Sequence, residues 1–204
     1  MADPQILARE LTHLLGEGRV FTDPDELVKR TVDTWPLRLV QRVVGAAPVL
    51  PRLVLRPRST AEVSRALAYL SERRIPVVPF GGGSGVTGGA IPPADAVVLD
   101  VGAMNQILAL DAENMTVTVQ PGVLLGDLEA WVDERGFITG HYPQSIDVAQ
   151  VGGLVATFSA GQFSTKYGNI EDMLAGLEAV LPPGEVVRIE YVPRRAVGPD
   201  LRQL

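Results

Sequence analysis

Hydrophobic and polar residues recur along this chain with two different periods, and the change of period divides it. Near the start, Ile6, Leu7, Leu11, Leu14 and Leu15 follow Asp3-Pro4 at helical spacing and stop at Gly16. This predicts a helix with an Asp N-cap and proline in its first turn. Asp23-Pro24 repeats the start signal before Leu27 and Val28. Thr34-Trp35-Pro36 and the stretch from Gly45 to Pro51 carry no period, and the latter reads as a linker.

From Leu53 onward the pattern alternates between strand and helix. Leu53-Val54-Leu55 predicts a short strand, and Ser59 with Glu62 three residues later predicts a capping box opening a helix to about Arg74. Pro76 to Phe80, Ala96 to Asp100, Ile107 to Leu110 and Met115 to Gln120 predict further strands, the last with strict polar–apolar alternation. Pro121-Gly122 turns the chain into a helix from Leu124 to Arg135, which Gly136 closes. Apolar stretches on either side of Pro182-Pro183-Gly184 predict a hairpin, and from Pro193 the chain becomes polar and irregular. The expected division is a helical lead-in, residues 1–47, and a main domain, residues 48–204.

Between the strand ending at Phe80 and Pro92-Pro93 lies Gly81-Gly82-Gly83-Ser84-Gly85-Val86-Thr87-Gly88-Gly89, six glycines in nine residues. Such a loop takes left-handed conformations easily and lets another molecule approach the main chain. No Lys or Arg occurs between Ile75 and Glu134, so an anion bound here is expected to rest on backbone N–H groups arranged as a nest. Gly83 to Gly88 formally fits G-x-G-x-x-G, but the double proline blocks the helix a dinucleotide βαβ unit requires. A Walker A loop is excluded because no lysine is present. The alternative is a glycine-rich surface loop without a ligand.

A second glycine-bearing segment holds Thr139-Gly140-His141, then Pro143-Gln144-Ser145, Val151-Gly152-Gly153 and the small-residue run to Gly161, then Tyr167-Gly168-Asn169-Ile170-Glu171-Asp172. Small residues here suit a backbone packed against a flat ligand, or else tight helix packing. His141 is read as either a residue near the substrate or a structural hydrogen-bonder, and Asp147, Glu171 and Asp172 as caps or turns.

Composition narrows the classes. The net charge is −6, yet residues 1–74 carry 12 Lys+Arg against 9 Asp+Glu, and the remainder 6 against 15. Nucleic acid is not an expected partner. There is no cysteine and there are only two histidines, His13 and His141, so disulfides, thiolate chemistry and a multi-histidine metal site are not expected. No apolar run reaches the length of a membrane span and no signal peptide opens the chain, which makes a cytoplasmic protein the expectation.

Taken together, Pro79-Phe80-Gly81-Gly82-Gly83-Ser84-Gly85, Gln120-Pro121-Gly122-Val123, Thr139-Gly140-His141, Pro143-Gln144-Ser145, Val151-Gly152-Gly153 and Lys166-Tyr167-Gly168 resemble the FAD-linked oxidases and dehydrogenases with the vanillyl-alcohol-oxidase (PCMH) type of FAD-binding domain. The branches most similar are alkylglycerone-phosphate synthase and the glycolate or D-lactate dehydrogenases. The resemblance implies an α+β fold of two small α/β subdomains with the cofactor between them, preceded by the helical lead-in. It implies cofactor contacts from Pro79, Phe80, Gly81, Gly82, Gly83, Ser84 and Gly85 around the pyrophosphate, and from Pro143, Gln144, Ser145, Asp147, Val151, Gly152, Gly153, Ala156, Thr157, Ser159 and Ala160 along the rest of the cofactor. His141 is the one candidate catalytic side chain. Covalent members often carry histidine where Ser84 stands, which implies non-covalent FAD.

The implied activity is hydride transfer from a small 2-hydroxy acid or alcohol to flavin N5, with an unknown electron acceptor. The alternatives are a synthase-like flavoenzyme and a non-catalytic module that holds FAD weakly or not at all. A homodimer is left open. Tyr142, Gln144 and Phe158 stand where the synthase pattern has two acidic residues and an arginine, which sets its particular substrate aside. Family members continue past the Gly198-Pro199-Asp200 region into a further FAD-site segment and a substrate cap, so the expectation is either a fragment or naturally short product, or a missing part supplied elsewhere.

Overall fold

The computed structural model of the protein describes residues 3–191 and Arg202. The irregular stretch expected from Pro193 lies outside the described residues. The first helix, α1 (Pro4–Leu15), begins where the Asp3 side chain accepts from Gln5 N at 2.8 Å and ends at Gly16, whose φ is +92°. Leu7, Leu11 and Leu15 form its buried stripe. A two-residue strand, β1 (Val20–Phe21), follows, and then α2 (Pro24–Val28), capped by Asp23.

The main sheet has the order β1-β2-β4-β3, with β2 (Leu53–Leu55), β3 (Val77–Phe80) and β4 (Val97–Asp100) parallel and β1 antiparallel on β2. Helix α4 (Thr60–Glu72) connects β2 to β3. Strand periodicity sorts the core into two layers. Leu53, Leu55, Val97 and Leu99 pack with Leu7, Leu11, Val63, Ala66 and Leu70 of α1 and α4, while Val54, Val98 and Phe80 meet Leu27 of α2 on the opposite face. The lead-in helices therefore share the core of the sheet, and β1 extends it.

Two details differ from expectation. Ser59 caps Glu62 N at 3.3 Å, but the Glu62 carboxylate does not return to Ser59. It accepts from Arg58 N at 2.8 Å and pairs with Arg19 at 3.1 Å. Pro36, in a Thr34-Trp35-Pro36 segment that reads as irregular, opens a helix, α3 (Pro36–Val43).

A second unit begins after a single 3₁₀ turn. Strands β5 (Ile107–Asp111) and β6 (Thr116–Val119) pair antiparallel, and α5 (Leu125–Asp133) buries Leu125, Leu128 and Val132 with Ala149 and Leu154 against them. Gly136, at φ +80°, ends α5 as expected, with Phe137 N donating back to Val132 O. Three short helices follow, α6 (Val151–Ala156), α7 (Ser164–Tyr167) and α8 (Ile170–Met173). The predicted hairpin forms as β7 (Leu177–Val180) and β8 (Val186–Ile189), and it docks on α4 through Ser64 Oγ donating to Gly184 O.

Candidate functional site

Strand β3 delivers the glycine loop at the carboxyl edge of the parallel sheet, where open α/β sheets bind ligands. The loop is fixed from two sides. On one side a β-carbon at Gly82 would come within 1.8 Å of Val148 O, and one at Gly81 within 3.2 Å of Gln150 Oε1. Glycine is required at 82 because the main chain of the second glycine-bearing segment lies directly against it. On the other side, Thr34 N donates to Gly85 O at 2.9 Å, Thr34 Oγ1 donates to Ser84 O at 3.0 Å, and the buried Asp33 carboxylate accepts from Gly88 N at 3.0 Å. The Trp35 ring closes over Gly88. The amides of Gly82, Gly83, Ser84 and Gly85 meet no acceptor among the described residues. Four successive main-chain donors are thus left to a ligand or solvent, with Gly83 in the left-handed region at φ +64°.

Beside Gly81 lies a cleft of about 540 Å³ lined by Phe80, Gly102, Ala103 and Gln150 and by Lys29, Arg30, Arg56 and Arg58. The expectation that backbone alone would meet an anion here is therefore corrected. Residues remote in sequence bring cations to the loop, because β2 runs parallel to β3 through β4 and its end places Arg56 and Arg58 near the end of β3. Asp100 Oδ2 accepts from Arg30 Nη2 at 2.8 Å and from Arg56 Nε at 3.2 Å, and Asp100 Oδ1 accepts from Gly102 N at 2.8 Å. Glu26 accepts from Lys29 at 2.5 Å and from Arg30 at 2.7 Å, and Lys29 above all holds its carboxyl below the ordinary value. Four cations face two carboxylates, and the Arg58 guanidinium has no ion-pair partner among the described residues. The Gln150 Oε1 is buried without a hydrogen-bond partner.

In the second segment His141 is buried, 1% exposed. Its Nε2 lies 3.2 Å from Ser159 Oγ, and its Nδ1 is buried without a partner, as is Glu171 Oε2. Burial pushes the His141 imidazole below its usual pKa, and Glu171 partly opposes this. Glu129 collects Thr139 N at 3.0 Å, Thr139 Oγ1 at 2.6 Å and the Tyr142 hydroxyl, which this bond pushes up to about 12. The Thr139-Gly140-His141 turn is thereby tied to α5. Gly161 packs against the Tyr142 backbone and Gly152 against Pro121.

The structure brings Gly81 and Gly82 against Val148–Gln150 and sets Val151, Gly152 and Gly153 at the start of α6 directly after them. Pro79 and Phe80 end β3, and Phe80 is in the core. Gly153, Ala156, Thr157 and Ala160 are exposed along one stretch, with open space at the α-carbon of Gly153. Pro143 is buried, Gln144 is exposed and Ser145 accepts the amides of Val148 and Ala149 at its carbonyl. Asp147 stands beside Gly126 at the start of α5. Ser84 and Gly85 are tied to Thr34 and not to the second segment. Asp172 does cap α8 through Asn169 N. Sequence reasoning missed Asp33, Thr34, Trp35, Gln150 and the four cations. Asp-Thr-Trp-Pro, an Asx turn ahead of proline, was the one local signal available.

The unpaired amides, the glycines that a β-carbon would fill and the adjoining cations fit the pyrophosphate of a dinucleotide cofactor. Comparisons agree. The profile of the FAD binding domain family matches residues 51–190. The chain is 47% identical over 197 residues to the uncharacterized FAD-linked oxidoreductase YgcU of Escherichia coli K12, covering 96% of this chain and 40% of that protein. It is 41% identical to the glycolate oxidase subunit GlcD of Bacillus subtilis, over 76% of this chain and 33% of that one. Among solved structures, an alkyldihydroxyacetonephosphate synthase superposes with a TM-score of 0.88 at 28% identity, over all of this chain and 37% of the other. The chain thus spans about 40% or less of the length of these relatives. No helix among the described residues is long and apolar enough to cross a membrane. The chain belongs to the FAD binding domain family of the FAD-linked oxidoreductases, with the vanillyl-alcohol-oxidase (PCMH) type of fold, and FAD is its cofactor.

Proposed function

We propose that this chain holds FAD without a covalent bond, for oxidation of a small 2-hydroxy acid or alcohol. The observation that carries the reading is the run of unpaired amides from Gly82 to Gly85, which starts against Val148 and follows Gly81, the loop residue that lines the cleft with Arg56 and Arg58. In this reading those amides and the guanidinium groups hold the pyrophosphate, Gln150 Oε1 accepts from a cofactor hydroxyl, and the exposed small residues from Gly153 to Ala160 lie along the flat part of the cofactor. Ser84 offers no nucleophilic ring nitrogen for a covalent link. FAD when bound supplies the hydride acceptor, its N5.

His141 is buried behind Ser159, so its part is to position that hydroxyl and not to take a substrate proton. A 2-hydroxy acid is favoured by the name of the Bacillus relative, a glycolate oxidase subunit, since glycolate is such an acid. A synthase-like exchange is the second reading, favoured by the 0.88 superposition. Phe158, half exposed where that pattern has arginine, weighs against it.

The test is a visible absorption spectrum of residues 1–204 before and after FAD addition and removal of excess by gel filtration. A retained flavin band, bleached by added glycolate or D-lactate without oxygen, is the expected result. A folded, colourless protein after FAD addition would overturn the reading in favour of a non-catalytic module.

A further inference from the structure

Residues 32–35 of the helical lead-in run along the glycine loop. Val32 O would stand 3.1 Å from a β-carbon at Gly83, and Asp33, 2% exposed, spends its two carboxylate oxygens on Trp35 N and Gly88 N, at 3.0 Å each. Between them Thr34 holds two carbonyls. Its hydroxyl lies 3.0 Å from Ser84 O and 2.9 Å from Gly85 O, and its own amide donates to Gly85 O at 2.9 Å. A trans peptide sets its C=O and the following N–H on opposite sides, and no peptide bond among the described residues is cis. With Ser84 O drawn to Thr34, the Gly85 amide turns away from it. With Gly85 O drawn there too, the Val86 amide does the same, and neither amide meets an acceptor among the described residues. Carbonyls drawn to one side, with successive amides left on the other, make an anion nest.

We propose that Thr34 is a positioning residue for the cofactor, one that aims the amides of Gly85 and Val86 at its phosphates; this rests on the loop's being the pyrophosphate cradle. Val86 N thereby joins the donors of Gly82 to Gly85. A working part of the FAD site then lies in the lead-in, outside residues 51–190 that the family profile matches.

Removing the hydroxyl separates the two holds. Gly85 O keeps Thr34 N, but Ser84 O has no other donor among the described residues, so Thr34→Val frees the Ser84–Gly85 peptide and with it the Gly85 amide. Thr34 is exposed, so this change of nearly equal shape strips no buried partner. Flavin fluorescence titration should show FAD affinity falling roughly two- to tenfold in Thr34→Val, the size of one neutral hydrogen bond, and returning in Thr34→Ser. The phosphorus NMR signals of bound FAD should move in the valine variant and not in the serine one, while the melting temperature without FAD stays that of the parent. A parent chain that holds FAD beside a Thr34→Val variant that holds it equally well overturns the proposal alone. Equal weakening by valine and serine, or a loss matched by a lower melting temperature without FAD, overturns it as well, since packing and not the hydroxyl would then matter. A parent chain that holds no FAD overturns the cradle and this role together.

Discussion

The main chain at Gly82 runs so close to Val148 that a β-carbon on residue 82 would stand 1.8 Å from the Val148 carbonyl oxygen. That contact joins the glycine loop of the first sheet to the segment packed on α5, so one substitution tests both the junction and the cradle. Gly82→Val should abolish flavin retention and lower the melting temperature. Gly89→Ala, with nothing within 4 Å of its β-carbon and no positive φ, should change neither. Ser84→Ala should weaken FAD binding only slightly, because the donors there are main-chain amides. Equal flavin retention in all three variants would falsify the cradle.

Arg58 faces the cleft with no ion-pair partner among the described residues. If its guanidinium meets the cofactor's phosphates, Arg58→Ala should weaken FAD affinity roughly tenfold, the size of one charge-assisted hydrogen bond. The dependence of affinity on salt should become shallower at the same time. Flavin fluorescence titrations at low and high ionic strength read both effects. Unchanged affinity would leave Arg58 out of the phosphate site.

Asp100 is nine-tenths buried between Arg30 and Arg56. Asp100→Asn keeps an acceptor for Gly102 N but takes from Arg30, 8% exposed, one of its two carboxylates and leaves it Glu26 alone. Breaking an isolated buried pair costs about 3 kcal/mol or more, and here the loss should be smaller, because Glu26 still faces both Arg30 and Arg56. The urea midpoint should fall accordingly. A shift no larger than that of an exposed pair such as Arg188–Glu178 would mean that water reaches the cluster.

The strands, α1, α4, α5 and the hairpin were legible because each carries its own period and its own cap or turn, as with Asp3-Pro4, Gly136 and Pro182-Pro183-Gly184. What was not legible depends on pairing across distance. Arg56 is near Gly81 only because β2 and β3 both flank β4, and a scan for cations along the loop's own sequence cannot see that. Helix α3 escaped because its start at Trp35-Pro36 carries no capping side chain, and its one buried side chain is an arginine. The loop's glycines were legible as places of close approach, and at 82 and 83 an added β-carbon would meet Val148 and Phe80.

His141 supplies a pH test of how the second segment is held. Its ionisation is depressed by burial in the folded state from an ordinary value of 6.5. Below about pH 6.5 the unfolded chain takes up a proton that the folded chain refuses, so stability rises with pH through this window. It should be fully present above the unfolded value and decline as the pH falls toward the folded one, by at most about 1.4 kcal/mol per pH unit for a single proton. His141→Gln keeps a hydrogen-bonding group for Ser159 Oγ but does not titrate. Its urea midpoint should therefore vary less between pH 7.5 and 5.5 than that of the parent chain, even if the variant is less stable throughout. Parallel pH profiles for the two proteins would show that the imidazole charges freely, and that His141 is open to solvent and not locked behind Ser159.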